Sequence, residues 1–294
     1  MKLAVLIALL GLANAWWCTG HMLVAHIAQQ QLLQSHPAVY NFAQSILAPL
    51  NGDLTHNIAN TFTETACWPD DIKSYGLQQI DPFHYIDKPY NPQGMTTAQI
   101  PLENVIYSIT NFNETLTKPI EAPFEKSVAL RFLIHFFGDI HQPLHCTTLF
   151  NDEFPNSDNG GNSFTIVYDD DVNELHALWD SAIGMLEDDL PRPLSDSNWE
   201  YMDQLAAWYT GNYTRNDLEL ELSYDNVTVW TLESYTLAVD YAYYGIQVGD
   251  RPSPQYVETA RQIVMKQIAL GGYRLADFLI EALTPMIQIE ELFK

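Results

Sequence analysis

Residues 131–145, with the sequence RFLIHFFGDIHQPLH, constrain the fold most, because an apolar stretch here carries side chains that bind metals. His135 and Asp139 are four residues apart, so on a helix they lie on one face. The positions around His135 are phenylalanine, leucine and isoleucine, and a helix that is apolar on all sides is buried. A buried His–Asp pair without a partner is costly, and a metal ion relieves that cost. We therefore predict a buried helix that carries metal ligands, in preference to a solvated surface pair.

A second pair with the same spacing lies downstream. His176 and Asp180 are found within the sequence NELHALWD. Between the two pairs, Pro143 is expected to end the first helix, which allows His145 to turn toward a different point. Imidazole and carboxylate ligands together suit zinc or another borderline divalent ion.

Helical periodicity dominates the rest of the chain. Of the 294 residues, 47% are hydrophobic. Apolar residues recur at three- to four-residue spacing in residues 21–33, 38–47, 101–112, 125–140, 173–186, 198–209, 229–244 and 254–283. Alternating residues at 163–168, after the turn signal Asn159-Gly160-Gly161, predict a short β-hairpin. We therefore predict a mainly α fold, a single-domain helical bundle over residues 16–294 with ligands that project from facing helices.

The first 15 residues have the pattern of a secretory signal peptide. Lys2 is followed by an apolar run up to Leu12 and by a small-residue site that ends at Ala15. The run is shorter than the ~20 residues that span a bilayer, which disfavours a membrane anchor. We therefore expect a protein that is secreted or resides in a secretory or lysosomal compartment. Three glycosylation sequons fit this route, at Asn113, Asn212 and Asn226.

Charge and cysteine content narrow the function further. The formal net charge of -24 argues against nucleic-acid binding through a basic patch, because phosphate backbones are normally met by lysine and arginine.

The 3 cysteines, Cys18, Cys67 and Cys146, are too few for a disulfide-stapled scaffold. Their odd number leaves a free thiol or a bridge between chains. Cys18 with Cys67 is the pairing that we prefer, and we assign no role to Cys146.

Further candidates for metal ligands lie upstream of residue 131. Asp70 is part of the sequence CWPDD, and His84 is part of PFHYID. Considered singly, the first would be a helix-capping aspartate and the second a packed core histidine. His21 lies five residues after Trp16. A freed α-amino group and carbonyl at Trp16 can chelate a metal only if the chain is cleaved after Ala15.

Taken in order, these motifs closely resemble those of the S1/P1 nuclease family. They are WWCTGH at 16–21, WPD at 68–70, FHYID at 83–87, HFFGDIHQPLH at 135–145, GGN at 160–162 and HALWD at 176–180. The resemblance continues to GGYRLA at 271–276, so it covers nearly the whole chain after the signal peptide. It implies a largely helical fold of the phospholipase C/P1 nuclease type that holds three Zn²⁺ in a cleft.

The resemblance also implies which residues bind each ion. The first zinc is bound by Asp70, His84, His135 and Asp139; the second by His145, His176 and Asp180; and the third by the amino group and carbonyl of Trp16, by His21 and by Asp139 as a bridge.

The activity that the resemblance implies is a secreted endonuclease that cleaves single-stranded DNA and RNA to 5′-phosphorylated products, together with a 3′-nucleotidase that acts on 3′-mononucleotides. Lys73 resembles the cation beside the scissile phosphate, and Asp87 resembles the carboxylate that orients the attacking water and this cation. Tyr85 and Asn162 occupy positions that contact the base, by stacking and by hydrogen bonding. The zinc ions would supply the positive charge that the side chains lack. We expect neither a membrane anchor nor an obligate protein partner.

Two alternatives remain open on the sequence. A zinc-dependent phospholipase C would use nearly the same ligands on a lipid phosphate, although no amphipathic or basic membrane anchor is evident. A non-catalytic zinc-binding surface protein is disfavoured by the presence of Asp87 and Lys73. The stretch between His145 and Gly160 is acidic and longer than is usual in the family, so it could reshape the base pocket or narrow the cleft.

Overall fold

The computed structural model describes residues 16–52, 61–169, 172–186 and 189–292, and the signal peptide predicted for residues 1–15 lies outside them. The α-helices of the described residues are α1 (Cys18–Ser35), α2 (Pro37–Leu47), α3 (Trp68–Asp71), α4 (Val105–Thr117), α5 (Pro123–Asp139), α6 (Leu175–Asp180), α7 (Asp196–Asn212), α8 (Glu219–Leu222), α9 (Val227–Leu237) and α10 (Pro254–Leu292). Short 3₁₀ helices cover Ala48–Leu50, Glu64–Cys67, Ile72–Tyr75, Gln78–His84 and Pro143–Cys146, and a π-helical turn covers Ala238–Ala242. The prediction of a mainly α fold is confirmed.

Two short strands, β1 (Lys88–Tyr90) and β2 (Thr147–Leu149), pair in parallel. The prediction of a β-hairpin at residues 163–168 is therefore wrong. That segment makes one isolated antiparallel bridge, between Thr165 and Glu174. Its two hydrogen bonds run from the N–H of Ile166 to the carbonyl of Asn173 and from the N–H of Leu175 to the carbonyl of Phe164, each at 2.9 Å. The N–H of Val167 points to the other side, where it donates to the carbonyl of Asp250 at 2.9 Å.

Two helices begin or end at residues other than those that the apolar periodicity predicts, for reasons that lie in the local backbone. Helix α4 begins after Asn104, whose side-chain oxygen accepts hydrogen bonds from two backbone N–H groups of the first turn. Helix α6 is much shorter than the predicted helix at 173–186. It ends before Ala182 and Ile183, which have φ of 53° and 56° and so cannot continue a right-handed helix.

Helices α1 and α5 occupy the centre of the fold. Residues 19–28 of α1 and 129–139 of α5 are buried without interruption. Helix α10 crosses both, with Gly271 against α5 and Gly272 against α1. The predicted burial of the helix that carries His135 and Asp139 is confirmed, and the candidate site therefore lies between packed helices.

Cys18 and Cys67 form a disulfide, which confirms the preferred pairing. The bridge joins the start of α1 to the segment that leads into Asp70. Cys146 is a free thiol that lies in the core, where burial raises its pKa to about 12. Among the described residues, no helix is both long and apolar enough to cross a membrane.

Candidate metal centre

Histidine and aspartate side chains from α1, α3, α5, α6 and two 3₁₀ helices converge at the ends of the central helices. They form three groups, and within each group the ligand atoms lie within 4.8 Å of one another: His21, Asp70 and His135; His84, His135 and Asp139; and His145, His176 and Asp180. The structure thus brings together every side chain that the sequence predicts as a ligand. Metal binding by them stays a prediction.

Asp139 lies where two histidines approach from different sides. Its Oδ2 atom is 3.4 Å from Nε2 of His135, one helical turn earlier on α5. Its Oδ1 atom is 3.5 Å from Nε2 of His21 on α1. One carboxylate with its two oxygens directed at two different imidazoles has the arrangement that a bridging ligand requires.

Backbone carbonyls determine the orientation of four of the histidines. The acceptors for Nδ1 are Ile80 for His84 at 3.0 Å, Ala66 for His135 at 2.6 Å, His84 for His145 at 2.9 Å, and Gly160 for His176 at 2.6 Å. A carbonyl only accepts, so each Nδ1 must carry the proton. Each Nε2 therefore presents a lone pair toward the centre, which is the form in which histidine binds metals.

The donor atoms at the centre fit a set of cations. Nε2 of His84, Nε2 of His135 and both carboxylate oxygens of Asp139 are buried and have no hydrogen-bond partner among the described residues. In the third group, Nε2 of His145 and Nε2 of His176 lie 3.2 Å apart although both carry lone pairs. Such buried, unpaired or mutually repelling acceptors are costly, and a divalent cation between them removes the cost. Imidazole nitrogen and carboxylate oxygen are the ligands that zinc takes.

Burial shifts the pKa values of the group. It lowers the pKa of His84 and of His135 to about 3, so both imidazoles are neutral at physiological pH. It raises the pKa values of Asp139 and Asp180 well above the ordinary range, with nearby carboxylates adding to the effect on Asp139. The histidines are therefore ready to bind a metal, whereas the two carboxyl groups must first release protons.

Trp16 lies against the same helices. Its side chain is fully buried, and its indole Nε1 donates to the carbonyl of Gly138 at 3.0 Å. The next residue, Trp17, donates its backbone N–H to the carbonyl of Asp180 at 3.0 Å. Residue 16 is thus bonded to α5 and residue 17 to α6, the two helices that carry candidate ligands nearby. The proposed role of the amino group of Trp16 remains a prediction that depends on cleavage after residue 15.

Lys73 is a buried cation at the edge of the centre. Its Nζ lies 2.6 Å from Oδ1 of Asp70 and 3.7 Å from Oδ1 of Asp81. Burial alone would lower the pKa of this ammonium group, but Asp70, with Asp139 and Asp81, raises it above the ordinary value. The charge is therefore retained despite an exposed fraction of only 1%.

The other predicted residues lie on two loops beside the centre. Burial, with a smaller effect from Asp158, raises the pKa of Asp87 to about 7. Burial and the charges of Asp87 and Asp81 raise the pKa of Tyr85 to about 12. Asn162 uses its amide group to close a turn, donating from Nδ2 to the carbonyl of Asn159 at 2.7 Å.

Gln142 is a functional candidate that the sequence reasoning missed. Its Nε2 donates to Oδ1 of Asp180 at 2.6 Å, and its Oε1 accepts the backbone N–H of Leu144 at 2.6 Å. It therefore orients a ligand of the third group while it shapes the turn that carries His145. Its position between two histidines and directly before Pro143 was the only sequence signal for it.

A mainly helical fold with overlapping groups of imidazole and carboxylate donors at its centre is the arrangement expected of a helical metal-dependent enzyme. The model of one family, S1/P1 Nuclease, matches residues 16–284, and the chain belongs to the S1/P1 nuclease family. Endonuclease 1 of Arabidopsis thaliana is 29% identical over 295 residues, which cover 90% of this chain and 86% of that protein. Nuclease S1 of Aspergillus oryzae is 28% identical over 94% of each chain. Nuclease P1 of Penicillium citrinum is 27% identical over 90% of this chain and 97% of its own.

Family membership confirms the resemblance seen in the sequence motifs. The chain is an enzyme, a nuclease that hydrolyses phosphodiester bonds in nucleic acids. The family is zinc-dependent, in agreement with the imidazole and carboxylate donors assembled here. The relatives are named as nucleases, which favours this activity over both the phospholipase C and the non-catalytic alternative.

Proposed function

We propose that this protein is a secreted, zinc-dependent endonuclease that cleaves single-stranded DNA and RNA to 5′-phosphorylated products and also hydrolyses 3′-mononucleotides. The observation that carries the proposal is the buried donor set around Asp139, whose oxygens and neighbouring imidazole nitrogens have no hydrogen-bond partner among the described residues. Preserving such a set in a protein core is costly unless cations occupy it.

Three Zn²⁺ are assigned to these donors. The first is held by Asp70, His84, His135 and Asp139; the second by His145, His176 and Asp180; and the third by the backbone of Trp16, by His21 and by Asp139. The two directions in which the oxygens of Asp139 point support its assignment as the bridge.

Bound zinc ions supply Lewis acidity toward phosphate oxygens and lower the pKa of water at the site. Lys73 adds a permanent positive charge, which Asp70 holds in a region of low dielectric where it acts strongly on a nearby phosphate. Asp87 has a pKa of about 7, so near neutral pH it can orient a water molecule and accept its proton.

Charge and stacking together account for the proposed preference for single strands. The formal net charge of -24 repels a duplex backbone from most of the surface, so binding depends on the cations of the centre. Tyr85 is half-buried beside Asp87 and can stack on an unpaired base. Asn162 lies in the loop that follows Gly161 and is assigned a hydrogen bond to that base.

Secretion is supported by the disulfide between Cys18 and Cys67, because such bridges persist in oxidising compartments. Two of the predicted glycosylation sites, Asn212 and Asn226, are exposed, and Asn113 is half-buried on α4. We propose all three as acceptors of N-linked glycans.

The proposal is tested by incubating the mature protein with single-stranded DNA, RNA, duplex DNA, a 3′-mononucleotide and a phosphatidylcholine emulsion. Each reaction is run with and without a chelator, and the zinc content is measured in parallel. We expect chelator-sensitive cleavage of both single-stranded polymers with 5′-phosphate ends. Hydrolysis of lipid without hydrolysis of nucleic acid would contradict the proposal.

A further inference from the structure

Asp158 is a fully buried carboxylate that the proposed chemistry does not use. It lies at the end of the acidic stretch that separates His145 from Gly160, with an exposed fraction of 0%. A buried carboxylate is costly unless several donors satisfy it, so its partners indicate what it does for the fold.

The partners of Asp158 join the end of this stretch to two separate elements. Oδ1 accepts the backbone N–H of Leu149 in β2 at 2.8 Å and the hydroxyl of Thr148 at 3.1 Å. Oδ2 accepts the phenol of Tyr243, just after the π-helical turn, at 2.8 Å. The backbone N–H of Asp158 donates to the carbonyl of Leu149 at 3.1 Å. Hydrogen bonds of both the side chain and the backbone of Asp158 therefore hold the end of the acidic stretch against β2.

Thr148 is hydrogen-bonded both to Asp158 and to the backbone of Gly160. Its hydroxyl group donates to Asp158, and its oxygen accepts the backbone N–H of Gly160 at 3.3 Å and the hydroxyl of Ser157 at 2.5 Å. Gly160 has a φ of 64°, and a Cβ there would lie 2.8 Å from the carbonyl oxygen of Leu144. The backbone at this position is thus confined by a hydrogen bond on one side and by close packing on the other.

The carbonyl of Gly160 is the acceptor that orients His176. It receives the Nδ1 proton at 2.6 Å, and this bond directs Nε2 toward Nε2 of His145 and Oδ2 of Asp180, each at 3.2 Å. Hydrogen bonds on both sides of Gly160, joined by its backbone, thus connect Asp158 through Thr148 to a proposed ligand.

We propose that Asp158 and Thr148 are positioning residues for the zinc ion held by His145, His176 and Asp180, acting through the carbonyl of Gly160. This inference rests on the proposed function, because it assumes that these three side chains bind zinc. Partners that orient a ligating histidine typically contribute about 10–100-fold to metal affinity. Since the two residues act through the backbone of Gly160 and not on His176 directly, we expect an effect near the lower end of that range.

The test compares three variants of the mature protein: Thr148→Val, Asp158→Asn and Thr147→Val. Valine matches the shape of threonine, so Thr148→Val removes only the hydroxyl. Thr147→Val is the matched control, because Thr147 is also buried in β2 but donates its hydroxyl to the carbonyl of Pro143 at 3.2 Å. Zinc is removed, and the affinity for each equivalent is measured by chelator competition during reloading. The Nδ1 proton of His176 is followed by ¹⁵N NMR in the metal-free protein.

We expect Thr148→Val and Asp158→Asn to weaken one zinc equivalent about tenfold and to shift the ¹⁵N signals of His176. The remaining equivalents and Thr147→Val should resemble the parent protein. Unchanged affinities and signals, with a lower melting temperature alone, would show that the network only stabilises the fold and would overturn the inference. A His176→Ala variant that loses no zinc would instead overturn the proposed ligand assignment.

Discussion

Asp139 is the residue on which the proposed centre most depends. Its two oxygens face His135 on its own helix and His21 on α1, and neither oxygen has a hydrogen-bond partner among the described residues. Burial raises its pKa well above the ordinary value, so in the absence of cations this group favours the protonated form. A residue that faces the positions proposed for two zinc ions should affect both when it is changed.

Replacing Asp139 with asparagine tests this link. Asparagine preserves the shape but offers one neutral oxygen and an amide nitrogen that cannot bind a cation. We expect Asp139→Asn to lower the zinc content by more than one equivalent and to reduce activity by more than the roughly 10–100-fold typical of changes to residues that only orient ligands. Elemental analysis measures the first effect. Asp180→Asn is the matched control, because Asp180 is assigned to a single zinc ion, and this change should lower the zinc content by one equivalent. Equal zinc loss in both variants would contradict a bridging role.

The pKa shifts predict that zinc binding releases protons. Burial raises the pKa values of Asp139 and Asp180 in the metal-free protein, so at a pH below those values both groups hold protons that zinc must displace. His84 and His135, with pKa values of about 3, are already neutral and contribute no protons at neutral pH. Affinity should therefore increase as the pH rises through the raised pKa values of the carboxyl groups. Calorimetric titration in buffers of different ionisation enthalpy measures the release, and a binding enthalpy independent of the buffer would refute it.

At the scale of elements, the close approach of α1 to α5 brings His21 to the centre. A Cβ at Gly138 would lie 2.5 Å from Nδ1 of His21, so only glycine permits this separation. The disulfide at the start of α1 and the indole of Trp16, bonded to the carbonyl of Gly138, hold the helix in the same position. The position of His21 is thus a property of how two helices pack.

Substituting Gly138 by alanine should separate these helices. We expect Gly138→Ala to destabilise the protein by about 1–3 kcal/mol, as overpacking typically does, and to weaken zinc binding at His21. Gly211→Ala is the matched control, because it lies in α7 and a Cβ there would meet nothing within 4 Å. That change should be neutral or stabilise by up to about 1 kcal/mol, since alanine favours a helix. Chemical denaturation and zinc titration of both variants measure the difference. Equal stabilities of Gly138→Ala and Gly211→Ala would show that α1 and α5 accommodate the added methyl group.

At the scale of the whole molecule, the zinc ions proposed for the centre would place positive charge inside a strongly negative protein. In a protein with a formal net charge of -24, the candidate cation-binding groups of the described residues lie together, between helices that are distant in sequence. The proposed third zinc also depends on processing, because a free amino group at Trp16 exists only after cleavage of residues 1–15.

This dependence predicts the effect of extending the N-terminus. A protein with one alanine added before Trp16 should fold, because the buried indole and its bond to Gly138 are unchanged. We expect it to contain one zinc fewer than the processed form, since a peptide nitrogen replaces the amino group. Intact mass spectrometry establishes the N-terminus, and elemental analysis counts the metal. Full zinc content in the extended protein would exclude the amino group as a ligand.

The properties that the sequence predicted correctly depend on residues close together along the chain. The four-residue spacing of His135 and Asp139 and their apolar flanks predicted a buried ligand helix, because helical periodicity operates within a few residues. The same reasoning failed at residues 163–168 and 173–186. In the first segment a single antiparallel bridge forms, between Thr165 and Glu174, and in the second the backbone conformation at Ala182 and Ile183 ends the helix.

The amino-acid sequence alone determined the helical class through its apolar periodicity and the residue types of the centre through their spacing, and it indicated the family through the resemblance of its motifs. Only the tertiary structure decided that the oxygens of Asp139 face two histidines, that Gln142 holds Asp180, and that Asp158 reaches His176 through Thr148 and Gly160. These relations join residues far apart along the chain, and their geometry depends on how whole helices and loops pack, which no local pattern specifies.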